Sequence, residues 1–325
     1  MNFFDFLFKK KEKQLVSDYV DRESKKEIDR ILLTKLECGL LPGEVVLLDW
    51  VNEKSIDKPF PSYFTFDYGI NPEESFQTLI NENFIYICND LHPLKVSELK
   101  QILKDNNLSL KGKKADLISR IERKIDLSTL NLPKVSLLTE RGMKTLEKNQ
   151  GIILAHKDSD FNIPLFMEYQ KKMSSTSSIY SDIKWFYLNE SVLKNTNNFD
   201  YGFVRNNKMA QAKMLQSERR YFDSLPFWIE VLFFDLSGLH NNFNIDGNLW
   251  YFENMAVQYV INHIKQCAAE LNANEIEVAF VRARDMFYNL KQDTFLSEED
   301  FNCFRTNLLL YDAEDYNEYM KKYKE

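Results

Sequence analysis

The sequence predicts an α+β chain that is predominantly helical, with an N-terminal α+β domain and a C-terminal all-α domain. A chain of 325 residues is long enough for two domains that each bury a core without disulfide or metal. With only 9 Gly and 8 Pro, tight turns are few. Apolar residues recur mainly at helical spacing, and only short runs are rich in aromatic and β-branched residues. The expected partition is an N-terminal segment and amphipathic helix (1–35), an α+β domain (36–155) and a helical domain (156–325). The boundary between the last two falls between Gly151 and Ser178, and the serine-rich stretch Ser174–Ser178 is the candidate linker or exposed loop.

Composition narrows the function classes. Hydrophobic residues at 44% and charged residues at 28% describe a soluble globular protein, with an unusual 25 Phe and 16 Tyr. A net charge of −7 excludes a generally basic coat, so any contact with phosphate must come from a local patch. Cys38, Cys88, Cys267 and Cys303 lie far apart, which fits reduced thiols in a cytoplasmic protein and gives neither disulfide nor zinc site.

In Met1–Lys13 the apolar run Phe3, Phe4, Phe6, Leu7 and Phe8 precedes Lys9, Lys10, Lys11 and Lys13, the reverse of a secretory signal. The segment reads as a terminus that docks its Phe residues on the body, with a weak membrane-surface anchor as the alternative. No run of 18 apolar residues is present, so no stable membrane insertion is expected.

Ser17–Lys35, with Ile28, Ile31, Leu32 and Lys35 at helical spacing, predicts an amphipathic helix broken by Gly39, Pro42 and Gly43. Val45–Val51 is ambiguous between short helix and buried strand, and Pro59 and Pro61 mark an aromatic loop. Asn71, Pro72, Glu73 and Glu74 form a helix start, with Phe76, Leu79 and Ile80 inward and Asn83 at its end. Phe84–Ile87 and Lys134–Leu138 read as strands, and Thr139, Glu140 and Arg141 open a helix whose apolar side is Met143 and Leu146, with Leu138 as an optional third member. Later helices are expected at Tyr201–Arg220, Phe222–Leu236, Trp250–Leu271 and Glu275–Leu290, and from Ser297 and Asp312. Ser297 and Asp300 have the spacing of a capping box before Phe301, Phe304 and Leu308.

One segment stands apart electrostatically. From Leu94 the chain reads LKVSELKQILKDNNLSLKGKKADLISRIERKI, which predicts two short helices. Val96, Leu99 and Leu103 share one face of the first; Leu117, Ile118, Ile121 and Ile125 are buried by the second. Asn106 and Asn107 end the first helix, and Leu108–Gly112 is an extended loop. Leu91–Asp126 holds nine basic and five acidic residues, a local charge of +4 that leaves −11 for the rest. Lys111, Lys113 and Lys114 flank Gly112 at a helix start, where backbone N–H groups and the dipole favour a phosphate.

This segment resembles the SAP domain of bacterial or phage proteins. Leu99, Lys100, Leu103, Leu108, Gly112, Lys114, Leu117, Ile118, Arg120 and Ile121 stand where that pattern expects such residues. It departs at Asn107, where the pattern usually has Gly, a position asparagine can accept. The resemblance implies binding to duplex DNA, often A/T-rich, through the loop and second helix. Lys111, Gly112, Lys113, Lys114 and Arg120 are the implied contacts, joined by Lys100 and Arg123 of the same unit. The flanking helix, two strands and further helix resemble a winged-helix scaffold. In the C-terminal half, Ala212, Leu215, Tyr221, Ser224, Trp228 and Val231 resemble one tetratricopeptide-like helix pair, with two ordinary core helices as the alternative.

Catalytic patterns are missing: there is no P-loop, Rossmann glycine pattern, H-E-x-x-H or G-x-S-x-G. His92, His156, His240 and His263 read as structural, and Asp158 and Asp160 beside His156 as a solvated turn, with a metal site as the alternative. From Glu275 to Glu325 acids outnumber bases 12 to 7, which disfavours phosphate at that end. The expectation is a non-enzymatic, cytoplasmic DNA-binding protein without cofactor. It would bind duplex with low sequence specificity, and its helical domain would recruit a protein partner or self-associate. The alternative is an interaction adaptor or scaffold that never touches nucleic acid.

Overall fold

The computed structural model describes residues 28–173, 179–239, 255–290 and 296–323. The chain divides into two compact units, 1–171 and 172–325. Both are mainly helical, and a small three-stranded sheet makes the first an α+β unit. Among the described residues no helix is long and apolar enough to cross a membrane.

The first described element is a single 3-10 turn, Arg30–Leu33, capped by Asp29 Oδ1 at 3.0 Å from the Ile31 N–H. Thr34 is already extended, so the predicted helix does not reach Lys35. Its residues 17–27, and the Phe-Lys run of Met1–Lys13, lie outside the described residues. Pro42 then starts α1 (Pro42–Val51), aided by Glu44 Oε2, which accepts the Leu41 N–H at 2.8 Å. The ambiguous run Val45–Val51 is thus helix, with Val45, Val46, Leu47, Leu48 and Val51 all buried.

After β1 (Lys54–Ser55) and the short α2 (Tyr63–Phe66) comes α3 (Pro72–Asn81). Asn71 Oδ1 accepts from the N–H groups of Glu73 and Glu74 at 3.1 and 3.3 Å, as the sequence anticipates. Asn83, at φ 58°, turns the chain into β2 (Ile85–Asn89). That strand starts one residue later than predicted because the Phe84 N–H is spent on the Leu79 carbonyl at 2.9 Å, closing the end of α3, and does not join the ladder. Next come α4 (Val96–Asp105) and α5 (Lys114–Lys124), then β3 (Lys134–Leu138). The sheet order is β1-β3-β2, and β3 pairs antiparallel with β2 from Ile85↔Leu138 to Asn89↔Lys134.

Thr139 Oγ1 caps α6 (Glu140–Lys148) by accepting the Gly142 N–H at 3.1 Å. Here the predicted inward face is corrected. Gly142 and Thr145 are buried, while Met143 is 53% exposed. A Cβ on Gly142 would lie 2.2 Å from the Phe84 carbonyl oxygen, so the helix approaches the β2 strand through its smallest residue and turns Met143 outward. The unit is completed by α7 (Gln150–His156) and α8 (Ile163–Lys172).

The second unit holds α9 (Tyr180–Asn197), α10 (Tyr201–Ser217), α11 (Tyr221–Leu236), α12 (Met255–Ala268), α13 (Ala273–Asn289), α14 (Glu298–Asn307) and α15 (Ala313–Met320). The sequence did not announce α9, because its buried Ile183, Leu188 and Val192 are interleaved with a buried lysine, Lys184. Ser174–Ser178 and Trp250–Asn254 lie outside the described residues. Around α11 the Phe excess becomes core: Phe233 meets Phe301 edge-on at 5.0 Å, and Phe234 meets Phe287 at 5.4 Å.

Ser297 and Asp300 form the anticipated capping box, with the Ser297 N–H 2.6 Å from Asp300 Oδ2 and the Asp300 N–H 3.3 Å from Ser297 Oγ. Asp300 does more than cap. Its carboxylate is fully buried and also accepts from Lys322 Nζ, Tyr323 OH and, at 2.8 Å, Tyr319 OH. Burial alone would raise this carboxyl, but these hydrogen bonds hold it at about 2. Set against the ordinary 3.8, that gap is worth about 2 kcal/mol of stability. Because the folded-state value is depressed, the contribution is complete above about pH 4 and is lost as pH falls through about 2. Asp300→Asn is expected to lower stability by about 2 kcal/mol at pH 7, and the difference from the parent protein to narrow below pH 4. Urea unfolding of both proteins across that range measures it.

Candidate nucleic-acid interface

The segment between β2 and β3 has its own core. Leu91, Leu99, Leu103, Leu117, Ile118, Ile121 and Leu132 are buried together, with Leu94, Ile102, Leu108 and Ile125 packed around them. Val96, predicted on that face, is 41% exposed. It occupies the first helical position, and Leu94, just before the helix, contributes to the packing instead.

Both helices start by the same device, which the sequence reading missed. The N-cap residue is a lysine whose backbone N–H donates to an acid three residues on: Lys95 to Glu98 Oε2 at 2.6 Å and Lys113 to Asp116 Oδ2 at 2.8 Å. The spacing K-x-x-E and K-x-x-D is the visible signal. Between the helices, Asn107 adopts φ 54°, the left-handed conformation anticipated for it. Its N–H donates to the Lys104 carbonyl at 3.0 Å and that of Leu108 to the Leu103 carbonyl at 2.8 Å, a Schellman closure in which Leu108 packs back on Leu103. Gly112 sits at φ +127°, where a Cβ would lie 2.8 Å from Asp116 Cβ. Glycine is therefore required for Asp116 to reach its cap position.

The cations divide into two groups. Lys114 Nζ donates to the His92 carbonyl at 2.6 Å, and Arg120 Nη1 donates to the carbonyls of Ser109 and Lys111 at 2.6 and 2.9 Å. Arg123 bonds Ser119, through Nε to its carbonyl at 3.2 Å and through Nη2 to its Oγ at 2.8 Å. These three side chains brace the unit. Lys100, Lys104, Lys111, Lys113 and Lys124 are exposed, and among the described residues their ammonium groups hold no ion pair or hydrogen bond. Arg120, Arg123 and Lys124, with Ser119 and Asp116, line an open depression of about 430 Å³. The start of α5 differs from expectation: Asp116 already answers its dipole and the Lys113 N–H, so the attraction for an anion rests on the ammonium groups beside Gly112.

The histidines have partners that their spacing did not reveal. His92 donates its N–H to Asp90 Oδ1 at 2.9 Å, with its ring Nδ1 2.8 Å from the same oxygen. Burial raises the Asp90 carboxyl, yet these bonds hold it below its usual range. Tyr68, pushed up to about 12 by burial, shares a hydrogen bond of 2.5 Å with His156 Nδ1, and burial pushes His156 down. His263 stacks on Trp228 at 4.4 Å; His240 lies outside the described residues. Asp158 Oδ1 accepts the N–H groups of Asp160 and Phe161, closing a turn. Among the described residues, no group of three or more His, Cys, Asp or Glu could hold a metal ion.

Residues 90–123 match the SAP domain family, so the chain carries a SAP domain over about a tenth of its length. No curated protein and no solved structure matches the chain.

The division of the cations predicts their stability effects. Arg120→Ala strips two solvent-accessible carbonyls of their donor and is expected to cost about 1 kcal/mol. Lys113→Ala removes an ammonium without a partner and is expected to stay within about 0.5 kcal/mol. Urea unfolding together with hydrogen exchange at the loop amides distinguishes the two.

Proposed function

We propose that this protein is a non-enzymatic DNA-binding protein that holds duplex phosphate, with low sequence specificity, through its SAP domain. One observation carries the reading: exposed lysines that hold no partner among the described residues cluster on a SAP domain within an otherwise acidic chain. Had internal carboxylates neutralised these groups, little charge would remain for phosphate. Glu98 and Asp116 instead spend their oxygens on backbone N–H groups. Lys111, Lys113 and Lys100 are then the direct phosphate contacts, while Lys114, Arg120 and Arg123 keep the loop in shape and add field. The platform around them, α3 and α6 flanking the β2–β3 pair, is read as winged-helix-like.

The helical unit is read as a tetratricopeptide-like surface that recruits a protein partner or a second copy. Support comes from α10 and α11, where Ser224 Oγ donates to the Ala212 carbonyl at 2.8 Å, and from Leu193, Phe199 and Phe203, which are 66%, 71% and 64% exposed. A cytoplasmic setting is supported by Cys38, Cys88, Cys267 and Cys303, all unpaired.

Gel shifts on random and A/T-rich duplexes over a salt series test the DNA reading. Affinity is expected to fall steeply with salt, and Lys111→Ala/Lys113→Ala to flatten the log–log slope by about 2. Binding that ignores salt and this double variant overturns it.

A further inference from the structure

A second group of cations lies at the end of the sheet from which the SAP domain departs. Lys134 opens β3; Asn89 faces it on β2, and the Ile56 N–H donates to its carbonyl at 3.1 Å from beyond β1. Asp90, the first residue of the SAP match, donates its N–H to the Pro133 carbonyl at 3.0 Å. The loop Ile56–Phe60 and the SAP domain therefore leave the same end of one rigid sheet. On that loop, the Lys58 N–H donates to the Ser55 carbonyl at 3.2 Å and folds the chain back.

Trp50 organises these charges. Its ring packs on Phe60 and Phe64 at 5.6 and 6.0 Å, and Lys54 Nζ and Lys58 Nζ stand over it at 4.4 and 5.9 Å from its centroid. Two ammonium groups thus share one aromatic platform. Burial lowers the pKa of Lys54, and repulsion from Lys58 and Lys157 lowers it further. Asp49 is the acid near enough to oppose this, and it also pairs with Lys157 at 3.5 Å. Glu53 and Asp57 are exposed on the same stretch. Lys58 and Lys134 are exposed and hold no ion pair among the described residues. Like charges gathered on a ring and left unpaired cost free energy that a phosphate would offset.

We propose that Lys54, Lys58 and Lys134 form a second phosphate contact, which extends the nucleic-acid footprint from the SAP loop onto the end of the sheet. The inference rests on the DNA reading of the SAP domain and adds a partner site outside it. Its contacts are to backbone phosphate and carry no base preference, because Lys54 already covers a face of the Trp50 ring.

The full chain is titrated with a random-sequence duplex over a salt series, in parental, Lys54→Gln/Lys58→Gln and Lys111→Ala/Lys113→Ala forms. The sheet-end pair is expected to weaken binding several-fold and flatten the log–log slope by about 2, adding to the loss from the loop pair. Trp50 emission is expected to change on titration, and the change to vanish in Trp50→Phe. Lys54→Arg/Lys58→Arg keeps charge and ring contact, and is expected to retain parental binding even if the Gln pair unfolds. An unchanged slope in the folded Gln pair, or loss of binding in the folded Arg pair, overturns the second contact. If the loop pair still loses affinity in that case, the SAP reading stands; if neither pair matters, both readings fall.

Discussion

The pairing of Asn89 with Lys134 at the end of an antiparallel ladder is the constraint on which the candidate interface depends. It pins the two ends of a long excursion next to each other, and the Asp90–Pro133 hydrogen bond extends the closure by one step. A segment held this way can fold against itself. It buries Leu99, Leu103, Leu117 and Ile121 in a core of its own and need not share the core of the sheet. Its outer surface is then available for charge, because its packing is met largely by that inner core.

How the charge is used follows from where the carboxylates go. In a chain of net charge −7, lysines would ordinarily find acids nearby. Glu98 and Asp116 instead turn inward to backbone N–H groups at the helix starts, a use that satisfies each helix and leaves the lysine side chains unneutralised. The carbonyls of the loop, otherwise bare, are held by Arg120, and that of His92 by Lys114. Fixing the loop by cation-to-carbonyl bonds keeps positive charge at its surface even where a side chain is structurally committed.

Local chemistry was legible in the sequence where a residue of ordinary capping or turn-forming type acts on its own neighbours, while the lysine N-caps of α4 and α5, equally local, passed unread. Asn71 capping α3, the left-handed Asn107, the Ser297–Asp300 box and the bounds of β3 all belong to this class. Most of what stayed hidden depends on partners distant in sequence. Gly142 faces inward because it meets the Phe84 carbonyl, 58 residues earlier, and no periodicity within α6 announces that. In the same way Arg120 reads as one more basic residue until the loop carbonyls arrive beside it. The site was thus legible as a place and a charge, while the division between bracing and unpartnered cations required the fold.

The helical unit uses charge in the opposite manner. Arg205 meets Asp235 through two bonds of 2.8 and 2.9 Å, and Lys208 lies 3.0 Å from Glu230, all four side chains at most 10% exposed. Burial raises Glu230 to about 7 against the pull of Lys208, a sign of how poorly that pocket replaces water. Such pairs add little net stability over apolar residues of similar size. Their effect is on register. Arg205 and Lys208 stand three apart on α10 and Glu230 and Asp235 five apart on α11, so sliding one helix by a turn would leave a buried charge without its counter-ion. Ser224, bonded to the Ala212 carbonyl between the same helices, works in the same direction. Buried charge therefore fixes geometry inside the second unit by pairing with its counter-ion, whereas in the first unit cations that brace the loop do so through carbonyls and keep their charge.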